Sequence, residues 1–128
     1  MKMCISATSD SLDANVDPRF GRCQYFVIVD SETMEFSAIY NDSTNAAHGA
    51  GIQAAQTVAN MGAKVVITGN IGPNAFNVLS ATGIKLVTGI SGSIRDAVEK
   101  YKNGQLQETS SPTVGGHFGM AKGQGRKQ

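Results

Sequence analysis

The sequence predicts an α/β domain built on one mixed five-stranded sheet. Two strand-like runs, "QYFVIVD" and "EFSAIYN", stand a hairpin's length apart, which makes them antiparallel neighbours. Beyond them the apolar period changes from two to that of a helix. The stretches "GAKVVITGNIG" and "GIKLVTGISG" then repeat a Gly-x-Lys opening and end in glycines where a strand gives way to a helix. The resulting element order is βββαβαβα.

Each element has its own local signal. Residues 2–8 alternate weakly and bring Met3, Ile5 and Ala7 to one side, as a first strand does. A polar loop, "SDSLDANVDPRFGR", carries Asp10, Asp13 and Asp17 before the hairpin, whose turn is Ser31 to Met34. Ile52, Ala55, Val58 and Ala59 recur at helical spacing, with Thr44 or Asn45 as caps and Gly62 as the stop. "AKVVITG" is a buried strand, and Pro73 suits the first turn of a helix bearing Phe76 and Leu79 that ends near Gly83. "IKLVTG" is the fifth strand. Ser91 or Ser93 caps a last helix whose Ile94, Ala97, Val98 and Tyr101 fall at i, i+3, i+4 and i+7, closed by Asn103-Gly104.

Short connections and right-handed crossovers place the first strand centrally, in the order 3-2-1-4-5 with strand 2 antiparallel, and put helices on both faces. Connections 8–23, 41–49, 69–73 and 88–92 then emerge at one rim. Open α/β sheets bind ligands there, beyond the carboxyl ends of their parallel strands.

Composition removes several function classes. Across 128 residues, 11 basic side chains balance 10 acidic ones, so no global field points to nucleic acid or to a membrane surface. No apolar run is long enough to span a bilayer, and "MKMCISATSD" lacks the apolar stretch of a signal peptide, so a cytoplasmic protein is expected. Cys4 and Cys23 are not a CxxC pair, and a reducing compartment keeps them as thiols. No acid follows Glu108, while Lys122, Arg126 and Lys127 lie among five glycines. The folded domain is therefore expected over residues 1–108 and a mobile basic tail over 109–128.

The rim supplies the candidate chemistry. Gly69, Gly72, Gly89 and Gly92 allow backbone N–H groups to approach a ligand at helix N-termini, which favour anions; the same glycines also serve as tight turns. Arg19 and Arg22 flank Phe20-Gly21 and offer directed donors, or else answer Asp13 and Asp17 as a solvated pair. Cys23 sits beside those two cations, which favour a thiolate, a soft ligand for iron, copper or molybdenum. His48, next to Gly49 at the mouth of the first helix, is a metal ligand or a solvated cap, and Asn70 lies between the glycines of the "GNIG" turn. Cys4 reads as a small buried hydrophobe. Neither a G-x-S-x-G elbow nor a P-loop is present, and two-metal hydrolysis lacks carboxylates at the ends of the fourth and fifth strands.

Three stretches, "DPRFGRCQYFVIVD", "HGAGIQAAQTVANMGAKVVITGNIGPNAFNVLSATGIKLVTG" and "AVEKYKNGQL", together resemble the dinitrogenase iron–molybdenum cofactor biosynthesis family, across about residues 1–108. The resemblance implies a ribonuclease H-like three-layer α/β/α fold and non-catalytic binding or delivery of an anionic metal–sulfur cluster. In the nitrogenase-associated carriers a histidine precedes the Phe-Gly pair as a candidate ligand. Arg19 stands there in this chain, and a charged guanidinium does not coordinate a metal. A small stand-alone member is implied, with a more electrostatic grip, Cys23 or His48 as metal ligands, and iron, molybdenum or copper in the cargo. The other reading is a regulatory or adaptor domain that binds a protein partner, such as a cluster-assembly ATPase or an acceptor protein, without a stable cluster of its own.

Overall fold

The computed structural model describes residues 1–42 and 49–113. Strands β1 (Lys2–Ala7), β2 (Tyr25–Asp30) and β3 (Phe36–Tyr40) precede α1 (Ala50–Asn60), β4 (Val65–Ile67), α2 (Pro73–Ala81), β5 (Lys85–Val87) and α3 (Ile94–Lys102). The sheet order is β3-β2-β1-β4-β5. β2 runs antiparallel to both neighbours, with Ala7 opposite Tyr25 and Tyr25 opposite Tyr40. β1, β4 and β5 are parallel, with Ile5, Ile67 and Val87 in register. The expected βββαβαβα fold is the one observed.

Side-chain alternation divides the core in two. Cys4, Phe26, Ile28, Val66 and Leu86 face α1 and α2, where they pack on Ala54, Ala55, Val58, Ala75 and Leu79. Met3, Ile5, Val27, Val29, Ile67 and Val87 face α3 and its Ile94, Ala97 and Val98. Leu12, Ala14 and Val16 of the long first loop complete this second core. Burying both faces explains why β4 reads as an unbroken apolar run, "VVI".

Helix ends follow local chemistry. Ser93 Oγ accepts from the Asp96 N–H at the start of α3, and Pro73 occupies the first turn of α2. Gly62, at φ +81°, closes the chain beyond α1. Thr44 and Asn45, expected as caps, lie outside the described residues; the N-cap position of α1 is Gly49 at φ +73°. Ile52, expected on the buried face of α1, is only half-buried, because the face that meets the sheet is carried by Ala50, Ala54, Ala55 and Val58.

Beyond α3 the described chain keeps its contact with the body. Thr109 N–H donates to Leu86 O and Thr113 N–H to Ile71 O, so the chain stays against the body past residue 108. Residues 114–128, including His117, lie outside the described part.

Candidate functional site

The first loop crosses the carboxyl ends of the parallel strands and is sewn to the turns that follow them. Asp17 N–H donates to Ser6 O at 2.8 Å, Val16 N–H to Gly92 O at 2.8 Å, and Asn70 N–H to Pro18 O at 2.8 Å. Beneath it, Ser6 Oγ donates to Asp17 O at 2.7 Å and lies 2.7 Å from Thr68 Oγ1. Both hydroxyls are buried, so the pair satisfies polar groups that water does not reach. This stitching fixes where Arg19 leaves the loop.

Arg19 pairs with Asn70 as a short parallel bridge. Its Nε donates to Asp17 Oδ1 at 3.3 Å, and its backbone N–H reaches the same oxygen at 2.9 Å. Asp17 is almost wholly buried, while the Arg19 side chain is 63% exposed. The carboxylate therefore anchors the guanidinium from behind and keeps it charged, leaving its outer donors towards solvent.

A cleft of about 470 Å³ opens beside this loop. Three segments wall it: Pro18 to Arg22 from the loop, Gly49 to Ile52 from the start of α1, and Asn70 to Ala75 at the start of α2. Neither helix has a side-chain cap or an acid in its first turn. Their leading N–H groups are thus the orphan donors of two helix N-termini, which favour anions. Among the described residues the lining includes two arginines and no acid, cysteine or histidine. Among the described residues no three of His, Cys, Asp and Glu stand together as a metal cage.

Glycines set the spacing of these walls. A Cβ on Gly21 would lie 3.0 Å from the Cα and N of Gly51, and one on Gly51 would lie 3.3 Å from Ala75 Cβ. The loop, α1 and α2 are stacked through their smallest residues, so at Gly21 and Gly51 the cleft wall is bare backbone. Gly69 acts differently, since a Cβ there would meet Pro18 Cα at 2.6 Å. It packs the loop down and does not line the cleft. Gly89, whose N–H donates to Gly69 O, is a turn at φ +76° outside the lining.

Of the residues singled out from sequence, Arg19, Phe20, Gly21, Arg22, Gly49, Asn70 and Gly72 meet at the cleft. His48 lies outside the described residues. Cys23 overturns its expectation: it is fully buried in the core beside Phe20 and Phe26 rather than in the cleft. Its Sγ donates to Phe20 O at 3.3 Å, and Asn41 Nδ2 holds its carbonyl at 2.9 Å. Burial pushes the thiol up to about 12, outweighing the hydrogen bonds from the backbone and from Asn41 that favour the thiolate. Gly51, Ile52, Ile71 and Asn74 were missed. The signal for Gly51 was present in "HGAG", where small residues one helical turn from Ala54 and Ala55 mark a close approach.

The fold and much of the sequence recur in known proteins. An uncharacterized protein of Methanocaldococcus jannaschii is 35% identical over 96 residues, covering 73% of this chain and 81% of the relative. The apo form of the orange protein from Desulfovibrio gigas superposes with a TM-score of 0.85 at 41% identity, covering 88% of this chain and 95% of that one. A Thermotoga protein assigned to the DUF35 family has a TM-score of 0.74 at 30% identity, covering 88% of this chain and 97% of that one. The model of the dinitrogenase iron-molybdenum cofactor family matches residues 1–104, and with that match the chain belongs to this cofactor-associated family.

Proposed function

We propose that this chain is a non-catalytic, cytoplasmic carrier that binds an anionic metal–sulfur cluster in the cleft and delivers it to an acceptor. The observation that carries the reading is the lining: two guanidiniums, two helix N-termini without a side-chain cap and bare glycine backbone, with no acid among the described residues. Sulfides at the surface of such a cluster accept hydrogen bonds, and a cluster with net negative charge is attracted by both features. The volume suits a small ligand. Family membership and the likeness to a protein solved in an apo form support a cofactor cargo.

The donor set specifies how the cargo is held. The cleft offers hydrogen-bond donors in place of metal ligands, so the grip acts on the outer sulfides and leaves the metals bonded within the cluster. Weak, many-pointed contacts suit a carrier that must release what it holds. His48 remains the one candidate metal ligand from the sequence reading; Cys23 does not reach the cleft.

The test is anaerobic purification and reconstitution, with visible spectrum, metal and acid-labile sulfide measured on wild type, Arg19→Gln and Cys23→Ala. Stoichiometric metal and sulfide, reduced in Arg19→Gln and retained in Cys23→Ala, is the expected result. Loss in Cys23→Ala with Arg19→Gln unaffected would refute the electrostatic grip in favour of thiolate ligation. A colourless protein that takes up no cluster would favour the adaptor reading instead.

A further inference from the structure

One edge of the sheet is bare. Asp30 N–H donates to Glu35 O and Asn41 N–H to Gln24 O, so the odd-numbered residues of β3 bond inward to β2. The N–H and C=O groups of Phe36, Ala38 and Tyr40 therefore point outward, and none has a partner among the described residues. The other edge, β5, is covered: Thr109 N–H donates to Leu86 O, and Thr109 Oγ1 accepts the Thr88 N–H. Nothing comparable blunts β3. Its sequence, "FSAIY", holds no charge and no proline, and its register with β2 is unbroken.

The strand is also complementary to itself. Set antiparallel against a second copy with Ala38 on the twofold axis, Phe36 falls opposite the second copy's Tyr40, and Ala38 opposite its own counterpart. These are the outward-bonding positions, so each such pair exchanges two hydrogen bonds. Phe36 and Tyr40 are 45% and 50% exposed, and with Met1 they are the exposed large apolar side chains among the described residues. Alternation puts both on the α3 side with Ala38, where Tyr25 meets Tyr40 edge-on at 5.7 Å. Pairing would continue that contact into an aromatic row across the junction. On the other face the second copy's Ile39 stands opposite the small Ser37, at a groove of about 290 Å³ walled by Ile28 and Met61. Glu35 meets the uncharged Asn41, and a net charge of +1 leaves little repulsion between copies.

We infer that the chain forms a twofold dimer through β3, joining two sheets into one. No residue lining the cleft belongs to β3, and antiparallel pairing turns the two rims to opposite ends, so both clefts stay open. A pair of five-residue strands is smaller than a standard interface of about 1,600 Å², so the dimer assembles only as concentration rises.

Sedimentation equilibrium of the full chain from about 10 μM to about 1 mM covers the range of such weak interfaces. The mass should rise from 13.4 kDa towards twice that value. Ala38→Pro removes an outward N–H and no bond to β2, so it should stay folded and monomeric throughout. Phe36→Lys/Tyr40→Lys sets lysine against lysine and should also stay monomeric. Phe36→Glu/Tyr40→Lys sets glutamate against lysine and should recover the dimer. A wild-type mass fixed at 13.4 kDa throughout, or one climbing past the dimer, would overturn the inference. So would an Ala38→Pro chain that is folded by circular dichroism and dimerises like wild type. If that variant unfolds, the two double variants decide, because equal association by both would overturn the β3 pairing.

Discussion

Gly21→Ala tests whether the cleft is a shaped cradle. The new methyl would sit 3.0 Å from the Cα and N of Gly51 and 3.3 Å from the carbonyl carbon of Ala50. Favourable carbon contacts lie near 3.5–4.0 Å, so the loop and α1 must separate by roughly half an ångström. Both neighbours are backbone, and no rotamer change relieves the overlap. Overpacking of this size costs about 1–3 kcal/mol, which for a domain of this length lowers Tm by roughly 4–12 °C. The same displacement moves Arg19 and Arg22 away from the donors of α1, so tetrathiomolybdate affinity should fall about tenfold, or ~1.4 kcal/mol. Gly62→Ala is the control. At φ +81° it is strained by about 1–2 kcal/mol, but its methyl would meet nothing closer than Lys2 Nζ at 3.8 Å, at the opposite end of the sheet. Calorimetric melting and an anion titration on both variants decide the matter. If Gly21→Ala melts and binds like wild type, or if Gly62→Ala loses affinity equally, the close stacking does not shape the site.

Further expectations concern the buried groups. Because burial raises Cys23 from 9.0 to about 12, the folded state holds this proton more tightly than the unfolded chain does. Its contribution is full below pH 9 and disappears as pH rises towards 12, by at most about 4 kcal/mol. Cys4 shifts in the same direction, also through burial. Urea midpoints should therefore fall steeply above pH 9, less so in Cys23→Ala; a midpoint constant to pH 11 would contradict this. Both thiols should react with a disulfide reagent at pH 8 only as fast as the protein opens, so rapid native labelling would show that Cys23 is accessible. Ser6→Ala strands the Asp17 carbonyl and the Thr68 hydroxyl, at a cost of about 1–3 kcal/mol, whereas the double variant Ser6→Ala/Thr68→Val should cost less than the sum of the singles. Strict additivity in urea denaturation would mean the two hydroxyls do not share one network.

Periodicity was enough for most of the fold. Weak alternation in β1 and the strand-like runs of β2 and β3 identified the first three strands, and the i, i+3, i+4 pattern from Ile94 identified α3, because each is a local consequence of which side chains leave water. The rim glycines and arginines were also legible, since helix N-termini and guanidiniums carry their donors in any context. Ile52 and Cys23 show where that legibility stops. Both are apolar or soft residues in sequence, and nothing local says whether they turn to the core or to the cleft. Only the crossing of the first loop over β1 and β4, locked by Ser6, Asn70 and Gly92, puts Ile52 at the mouth and Cys23 beneath Phe20. The same holds for Gly69 and Gly21, which share a residue type and a rim but separate into a packing contact and a cleft wall by what stands opposite them. By itself the sequence determined the elements, their order and the charge of the rim, because those depend on neighbours along the chain. Which side chains face the cleft was decided by the tertiary structure, because burial and the pKa shifts that follow from it are set by residues distant in sequence.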